Sequence, residues 1–159
     1  MPPPPHHHAY LWHGHGTLLV KPGDAHRRPG HPEFPTTPVM PLETADWLLK
    51  ASAHIRATFP RPAEAAAWYT DQLQQHTGIL TGTYAPPPDP REITRRLTAR
   101  EDLIGGWWTT GGRFLHLGLI ACGPHPLRPH PCPLRTGRAP ASRGGADALM
   151  VGGSALVDA

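Results

Sequence analysis

The spacing of apolar residues predicts a helix early in the central part of the chain. Leu48, Ser52, Ile55 and Phe59 follow one another at intervals of four, three and four residues, which places them on one stripe of a helix. We therefore expect a first helix over residues 44–58, buried along that stripe.

A second helix is expected directly afterwards, over residues 62–76. Trp68 and Leu73 belong to its apolar stripe. Pro62 suits the first position of a helix, and Gly78 suits the left-handed stop that follows one. The short connection predicts that the two helices form an angular or hairpin pair.

The clearest local signal in the sequence predicts a third helix. Asp89 can cap it, Pro90 suits its first position, and Glu92 stands where a capping box places an acidic residue. Ile93 and Leu97 are four residues apart and are expected to face inward.

A β-hairpin is predicted from residue 106 to residue 122. Gly111 and Gly112 separate two apolar runs and supply the positive φ angles of a two-residue loop. That loop would pair Trp108 with Leu115. Both faces of the second strand are largely apolar, so we expect it to be covered on both sides.

These elements predict an α+β fold: a single small domain over 42–123, with about three helices followed by a hairpin. The chain has 22 prolines and 17 glycines in 159 residues, and ten of the prolines precede the domain. Proline interrupts helices and sheet ladders. We therefore expect a mostly disordered Pro/His-rich arm over 1–41, with a candidate short strand at 17–20. A Pro/His/Cys segment over 124–135 and a disordered tail over 136–159 would follow.

The charge pattern argues against a nucleic-acid-binding domain. The net charge is +3, but the central domain has eight basic and eight acidic residues. A nucleic-acid-binding fold usually carries the basic excess itself. Arg91, Arg95, Arg96 and Arg100 form two rows on the third predicted helix and could meet nucleic-acid or other phosphates. Because acidic residues lie among them, a solvated, salt-bridged face is the favoured interpretation.

No secretory or membrane-spanning signal is visible, which predicts a cytoplasmic protein with no membrane partner. Cys122 and Cys132 are the two cysteines, too few for a disulfide scaffold, and we expect both to be reduced. Arginine greatly outnumbers lysine beside abundant alanine, proline and glycine, as expected from a GC-rich bacterial genome.

Cys122, His125, His130 and Cys132 are the candidate metal ligands. Two thiolates and two imidazoles suit a tetrahedral zinc, although their spacing is tighter than in common zinc motifs. The competing interpretation is that a proline-rich segment simply follows the strand and binds no cofactor. Its histidines would then lie on the surface, and one cysteine would be buried. The histidines at 6–8 belong to the arm, and we expect them to bind metals only weakly and adventitiously.

Support for catalysis is slight. The three serines lie in no nucleophile motif, and no glycine-rich phosphate loop follows a strand. Cys122 could form a thiolate pair with His125 or His116, but His116 is six residues away along an extended strand, about 20 Å, which is too far for direct contact. No complete set of nucleophile, base and orienting group can be named. We therefore assign no catalytic residue.

The segment from Trp107 to Arg135, WWTTGGRFLHLGLIACGPHPLRPHPCPLR, resembles the end of short uncharacterised actinobacterial proteins. The shared features are a tryptophan-bearing strand, a glycine turn, a strand running into cysteine, then histidine and Pro-Cys-Pro-Leu. The resemblance implies that Cys122, a following histidine and Cys132 belong together, and it implies no reaction.

The sequence is consistent with three hypotheses for the function of the protein. The leading hypothesis is a non-catalytic accessory or protein-interaction module with a protein partner or as a homo-oligomer. The alternative is a small zinc-stabilised module, with a nucleic-acid-associated role as one form of it. A thiol-dependent enzyme is the third.

Overall fold

The computed structural model of the protein describes residues 4–81, 88–123 and 128–136. Within them the chain is α+β, with one four-stranded antiparallel sheet in the order β2-β1-β4-β3. The elements are β1 (His6–His15), β2 (Ala57–Phe59), α1 (Pro62–His76), α2 (Pro90–Thr98), β3 (Leu103–Thr109), β4 (Arg113–Cys122) and the short α3 (Pro133–Thr136). Two strands precede α1 and α2, and α3 follows the hairpin of β3 and β4, so the expected order of three helices followed by a hairpin is not observed.

The amino-terminal arm contributes an interior strand, where we expected mostly disorder. β1 pairs with β4 along its whole length, from His6 opposite Cys122 to His15 opposite Arg113, and with β2 on its other side. Because β4 is apolar on both faces and its second edge would otherwise be unpaired, β1 completes the ladder. The candidate strand at 17–20 is instead a 3-10 turn, Gly16–Leu19.

Helices α1 and α2 cover one face of the sheet. α1 has the predicted bounds, although Gly78 lies in a 3-10 turn after it and not in a left-handed stop. In α2, the Asp89 carboxylate accepts a hydrogen bond of 2.7 Å from the Arg91 backbone N–H, as the capping signal predicted. The core on this side is formed by Ala9, Ala65, Ala66, Tyr69, Leu73, Ile93, Leu97, Leu103, Leu115, Leu117 and Leu119.

The opposite face is covered by the irregular segment between β1 and β2, and the helix predicted over 44–58 is absent there. Two 3-10 turns, Thr44–Leu49 and Ser52–His54, and strand β2 replace it. Between the turns, the buried Lys50 donates from Nζ to the backbone carbonyls of Phe34 and Thr37. These long-range bonds, together with the pairing of β2 with β1, outweigh the local helical preference.

A second core fills this side, beneath the 3-10 turns. It is formed by Tyr10, Trp12, Val39, Trp47, Leu48, Ile120 and Cys122. The rings of Tyr10 and Trp47 are stacked with centroids 4.7 Å apart. The Trp47 indole N–H also donates to Nε2 of the buried His116 over 3.0 Å. The two cores confirm that β4 is covered on both faces.

The hairpin is present, but its register differs by one residue from the prediction. Trp108 pairs with Phe114, because the connection is a three-residue loop, Thr110-Gly111-Gly112, in which both glycines have positive φ. A one-residue slip moves each side chain of one strand to the other face relative to its partner. No helix in the described ranges is both long enough and apolar enough to cross a membrane.

Candidate metal centre

Four side chains from three separate parts of the chain converge at one end of the sheet. They are His6 and His8 on β1, Cys122 at the end of β4, and Cys132 just before α3. The nitrogen or sulfur atom that each offers lies within 4.8 Å of the others. This group is called the His2Cys2 site below.

The antiparallel ladder explains three of the four positions. His6 stands directly opposite Cys122, and His8 lies two residues further along β1, on the same face of the sheet. The fourth side chain comes from outside the sheet: Cys132 Sγ is 3.6 Å from His8 Nε2 and 3.8 Å from His6 Nε2. The two Nε2 atoms are 3.1 Å apart.

Hydrogen bonds on the far side of each imidazole aim its Nε2 atom into the site. His6 Nδ1 donates to the Pro4 carbonyl over 2.8 Å, so in the neutral ring the lone pair is on Nε2. His8 Nδ1 is 2.8 Å from Thr58 Oγ1 on β2, which stands opposite it in the ladder. Metal-binding histidines usually have such a partner on the nitrogen that does not bind the metal.

The site is shielded from water. His8 and Cys122 are 0 % and 2 % exposed, His6 is buried, and Cys132 is half-buried. Burial, with smaller contributions from the neighbouring histidines, lowers the pKa of His8 to about 4. Burial, and after it the Cys132 thiol, raise the pKa of Cys122 to about 12. In the absence of a cation, the environment therefore favours a neutral imidazole and a protonated thiol.

Residues 128–136, called the C-terminal strap below, are attached to the rest of the fold by three further contacts. Arg128 forms an ion pair of 2.6 Å with Asp102 and donates to the Ala121 carbonyl. His130 Nε2 donates to the Asp46 carboxylate over 2.9 Å. The strap is thus part of the folded unit, and these contacts bring Cys132 to the site.

The structure regroups the ligands predicted from sequence. Cys122 and Cys132 are brought together, whereas His130 faces Asp46 and is outside the four-residue group, and His125 lies outside the described residues. His6 and His8, which we expected to bind metals only adventitiously, occupy the two imidazole positions. Their His-x-His spacing, which puts both rings on one face of a strand, was the signal that could have identified them.

The histidine between the two has a different role. His7 points to the other face of the sheet, where its Nε2 donates to the Glu101 carbonyl over 2.9 Å. The three adjacent histidines are therefore not equivalent, and His7 provides an internal control for the site.

Three of the four arginines predicted as phosphate contacts bond through their side chains to other parts of the chain. Arg95 pairs with Glu92, and Arg96 pairs with Glu101 at 3.0 Å, so two of the four charges are neutralised locally. Arg100, at positive φ after the helix, donates to the Cys122 carbonyl over 3.3 Å. Arg91 is exposed and donates its backbone N–H to the N-cap of α2.

In the absence of a bound cation, the environment of Cys122 favours the thiol over a thiolate nucleophile. The side chain is buried, and its raised pKa keeps it protonated at neutral pH. His116 cannot act as its base: Nε2 accepts from Trp47, and Nδ1 donates to the Gly105 carbonyl over 3.2 Å. A divalent cation is the ligand whose charge would compensate two ionised thiols at this position.

Comparison with known proteins gives no family for this chain. No family model, no curated protein and no solved structure matches it. The α+β fold and the candidate His2Cys2 site therefore stand on the residues and geometry described above.

Proposed function

We propose that the protein is a small zinc-stabilised module in which His6, His8, Cys122 and Cys132 bind one structural zinc ion. The observation that carries this proposal is the convergence of the four ligand atoms within 4.8 Å of one another. Two thiolates and two imidazoles form a donor set that zinc prefers in proteins, and it accounts for all four tetrahedral positions.

The distances support a tetrahedral ion. With Zn–N bonds of about 2.0–2.1 Å and Zn–S bonds of about 2.3 Å, neighbouring ligand atoms lie about 3.3–3.8 Å apart. The separations are 3.1 Å between the two Nε2 atoms, and 3.6 and 3.8 Å from Cys132 Sγ to those of His8 and His6. The three atoms of His6, His8 and Cys132 therefore have nearly the spacing of a zinc coordination shell, and Cys122 Sγ lies within 4.8 Å of each of them.

A structural role fits better than a catalytic one. Catalytic zinc sites usually keep one position for water or substrate, whereas here the chain supplies four ligands. Three of the four side chains are also buried. A bound zinc would join β1, β4 and the C-terminal strap, because its ligands lie on all three. Two of these ligands, His6 and Cys132, are 126 residues apart in the chain.

The decisive experiment is metal analysis of untagged protein, with cobalt substitution to report the ligands. We expect one zinc per chain, and a cobalt spectrum with thiolate charge-transfer bands and tetrahedral d–d bands. His8→Gln and Cys132→Ser should abolish stoichiometric binding, and His7→Gln should retain it.

The control variants separate this proposal from its rivals. Loose binding by the histidine run would weaken equally in His7→Gln and His8→Gln. The local ligand set suggested by sequence would instead lose metal in His125→Gln and retain it in His8→Gln. Either result, or a wild-type protein without stoichiometric metal, would refute the proposed site.

A second candidate function is self-association through β3. This strand is the last one of the sheet formed by the described residues, and it contains no charged side chain. Its Trp108 end is already bonded to residues 79–81, where the Thr81 N–H donates to the Trp108 carbonyl over 3.0 Å, so the pairing would use the part of β3 before Trp108. Ile104 and Trp108 are on the same face of β3 and are 48 % and 51 % exposed. An uncharged edge strand with exposed apolar residues favours pairing with a second copy. Sedimentation should show a dimer that Trp108→Thr dissociates; a monomeric wild type would refute it.

A further inference from the structure

The two thiols of the His2Cys2 site are close enough to form a bond with each other. The Cys122 and Cys132 sulfur atoms lie within 4.8 Å, and a disulfide bond is about 2.05 Å long, so they need to approach by less than about 3 Å. Cys122 is fixed at the end of a paired strand, whereas Cys132 belongs to the strap, which is outside the sheet. The movement required is therefore a small shift of the strap.

We propose that Cys122 and Cys132 are an oxidation site, at which a peroxide converts the zinc-bound thiolates into a disulfide and releases the zinc. This inference rests on the zinc site proposed above and adds its regulation. The two residues are the only cysteines in the chain, so the oxidised product has a single intramolecular form.

The difference in exposure between the two thiols assigns their roles. Cys132 is half-buried, whereas Cys122 is 2 % exposed. Oxidants react first with the accessible thiolate, so Cys132 is the sulfur that meets the peroxide. Cys122, shielded from the solvent, is the resolving thiolate that attacks the oxidised Cys132.

The reaction balances without any further component. The Cys132 thiolate attacks one peroxide oxygen, the O–O bond breaks, and Cys132 becomes a sulfenic acid as hydroxide leaves. The Cys122 thiolate then attacks the Cys132 sulfur, the S–S bond forms as the S–O bond of the sulfenic acid breaks, and a second hydroxide leaves. The two thiolates lose two electrons and the peroxide gains them. Zinc is released as the dication, because two imidazoles remain as its protein ligands.

Contacts outside the site should keep the strap attached to the fold after the zinc is released. The strap keeps its ion pair from Arg128 to Asp102 and its hydrogen bond from His130 to Asp46, neither of which involves sulfur. The disulfide replaces the zinc as the link between the strap and β4. Oxidation should therefore release the ion and leave the strap attached.

The experiment uses the untagged, zinc-loaded full chain, treated with hydrogen peroxide in the presence of a zinc-sensitive dye. We expect one zinc released per chain, the loss of both thiols, and a mass lower by two hydrogen atoms. Treatment with a dithiol reductant and zinc should restore the starting protein. Cys122→Ser, which lacks the resolving thiol, should form no intramolecular disulfide.

The outcomes distinguish this inference from the zinc site itself. Wild-type protein that holds zinc but keeps it under peroxide, or whose thiols become sulfinic acids without a disulfide, would overturn the oxidation site alone. Wild-type protein that never holds stoichiometric zinc would overturn the proposed function, and zinc release with it.

Discussion

Zinc should raise the melting temperature of this protein, and the rise should require the sulfur atom of Cys132. The ligands come from positions that are 126 residues apart at the extremes, so the unfolded chain offers no preformed site and zinc binds the folded state selectively. At free zinc of about 1,000 times the dissociation constant, linkage predicts about 4 kcal/mol of stabilisation. For a chain of this size, each kcal/mol raises the melting temperature by about 2–4 °C, which gives about 8–16 °C.

The matching perturbation is Cys132→Ser. Because Cys132 is half-buried, the change should cost the metal-free protein little, about 1 kcal/mol or less. The zinc-dependent rise in melting temperature should nevertheless disappear. The assay is thermal unfolding by circular dichroism of chelator-stripped protein, with and without added zinc. His7→Gln is the control and should retain the full rise. An equal rise in wild type and Cys132→Ser would refute the argument, as would its loss in His7→Gln.

Three further predictions concern the apo fold and the strap. Trp47→Phe should lower the free energy of unfolding by about 3 kcal/mol in urea titrations, because it opens a cavity and leaves the buried His116 Nε2 without its donor; a cost under about 1 kcal/mol would contradict this. Burial lowers the folded-state pKa values of His8 and His116 from 6.5 to about 4. Between pH 4 and pH 6.5, these two histidines are therefore protonated in the unfolded state only. Metal-free protein should therefore lose about 3 kcal/mol per histidine as the pH falls from 6.5 to 4, and a flat pH profile would count against it. Asp102→Asn should weaken zinc binding about 10-fold in competition titrations, because it removes the counter-charge of Arg128 and loosens the strap; unchanged affinity would show that the ion pair does not position Cys132.

The parts of the fold that were predictable are those governed by neighbours in the chain. α1 needs only its apolar stripe and Pro62, and the start of α2 needs only the Asp89 cap. The helix predicted over 44–58 failed because its stripe residues serve different partners: Leu48 and Ile55 pack in the core beneath the 3-10 turns, and Phe59 packs in the core under the helices. Such long-range packing is invisible to a local periodicity.

The metal ligands divide in the same way. The amino-acid sequence by itself indicated the candidate donor chemistry, two thiols and two imidazoles, and it named Cys122 and Cys132 as candidate sulfur ligands, which the structure brings together. Only the tertiary structure decided which histidines complete the set, because pairing β1 with β4 places His6 and His8 beside Cys122 across more than a hundred residues of chain. A sequence motif selects ligands that are close in the chain, such as His130. A strand ladder brings together residues of any sequence separation once the cores on both faces stabilise it.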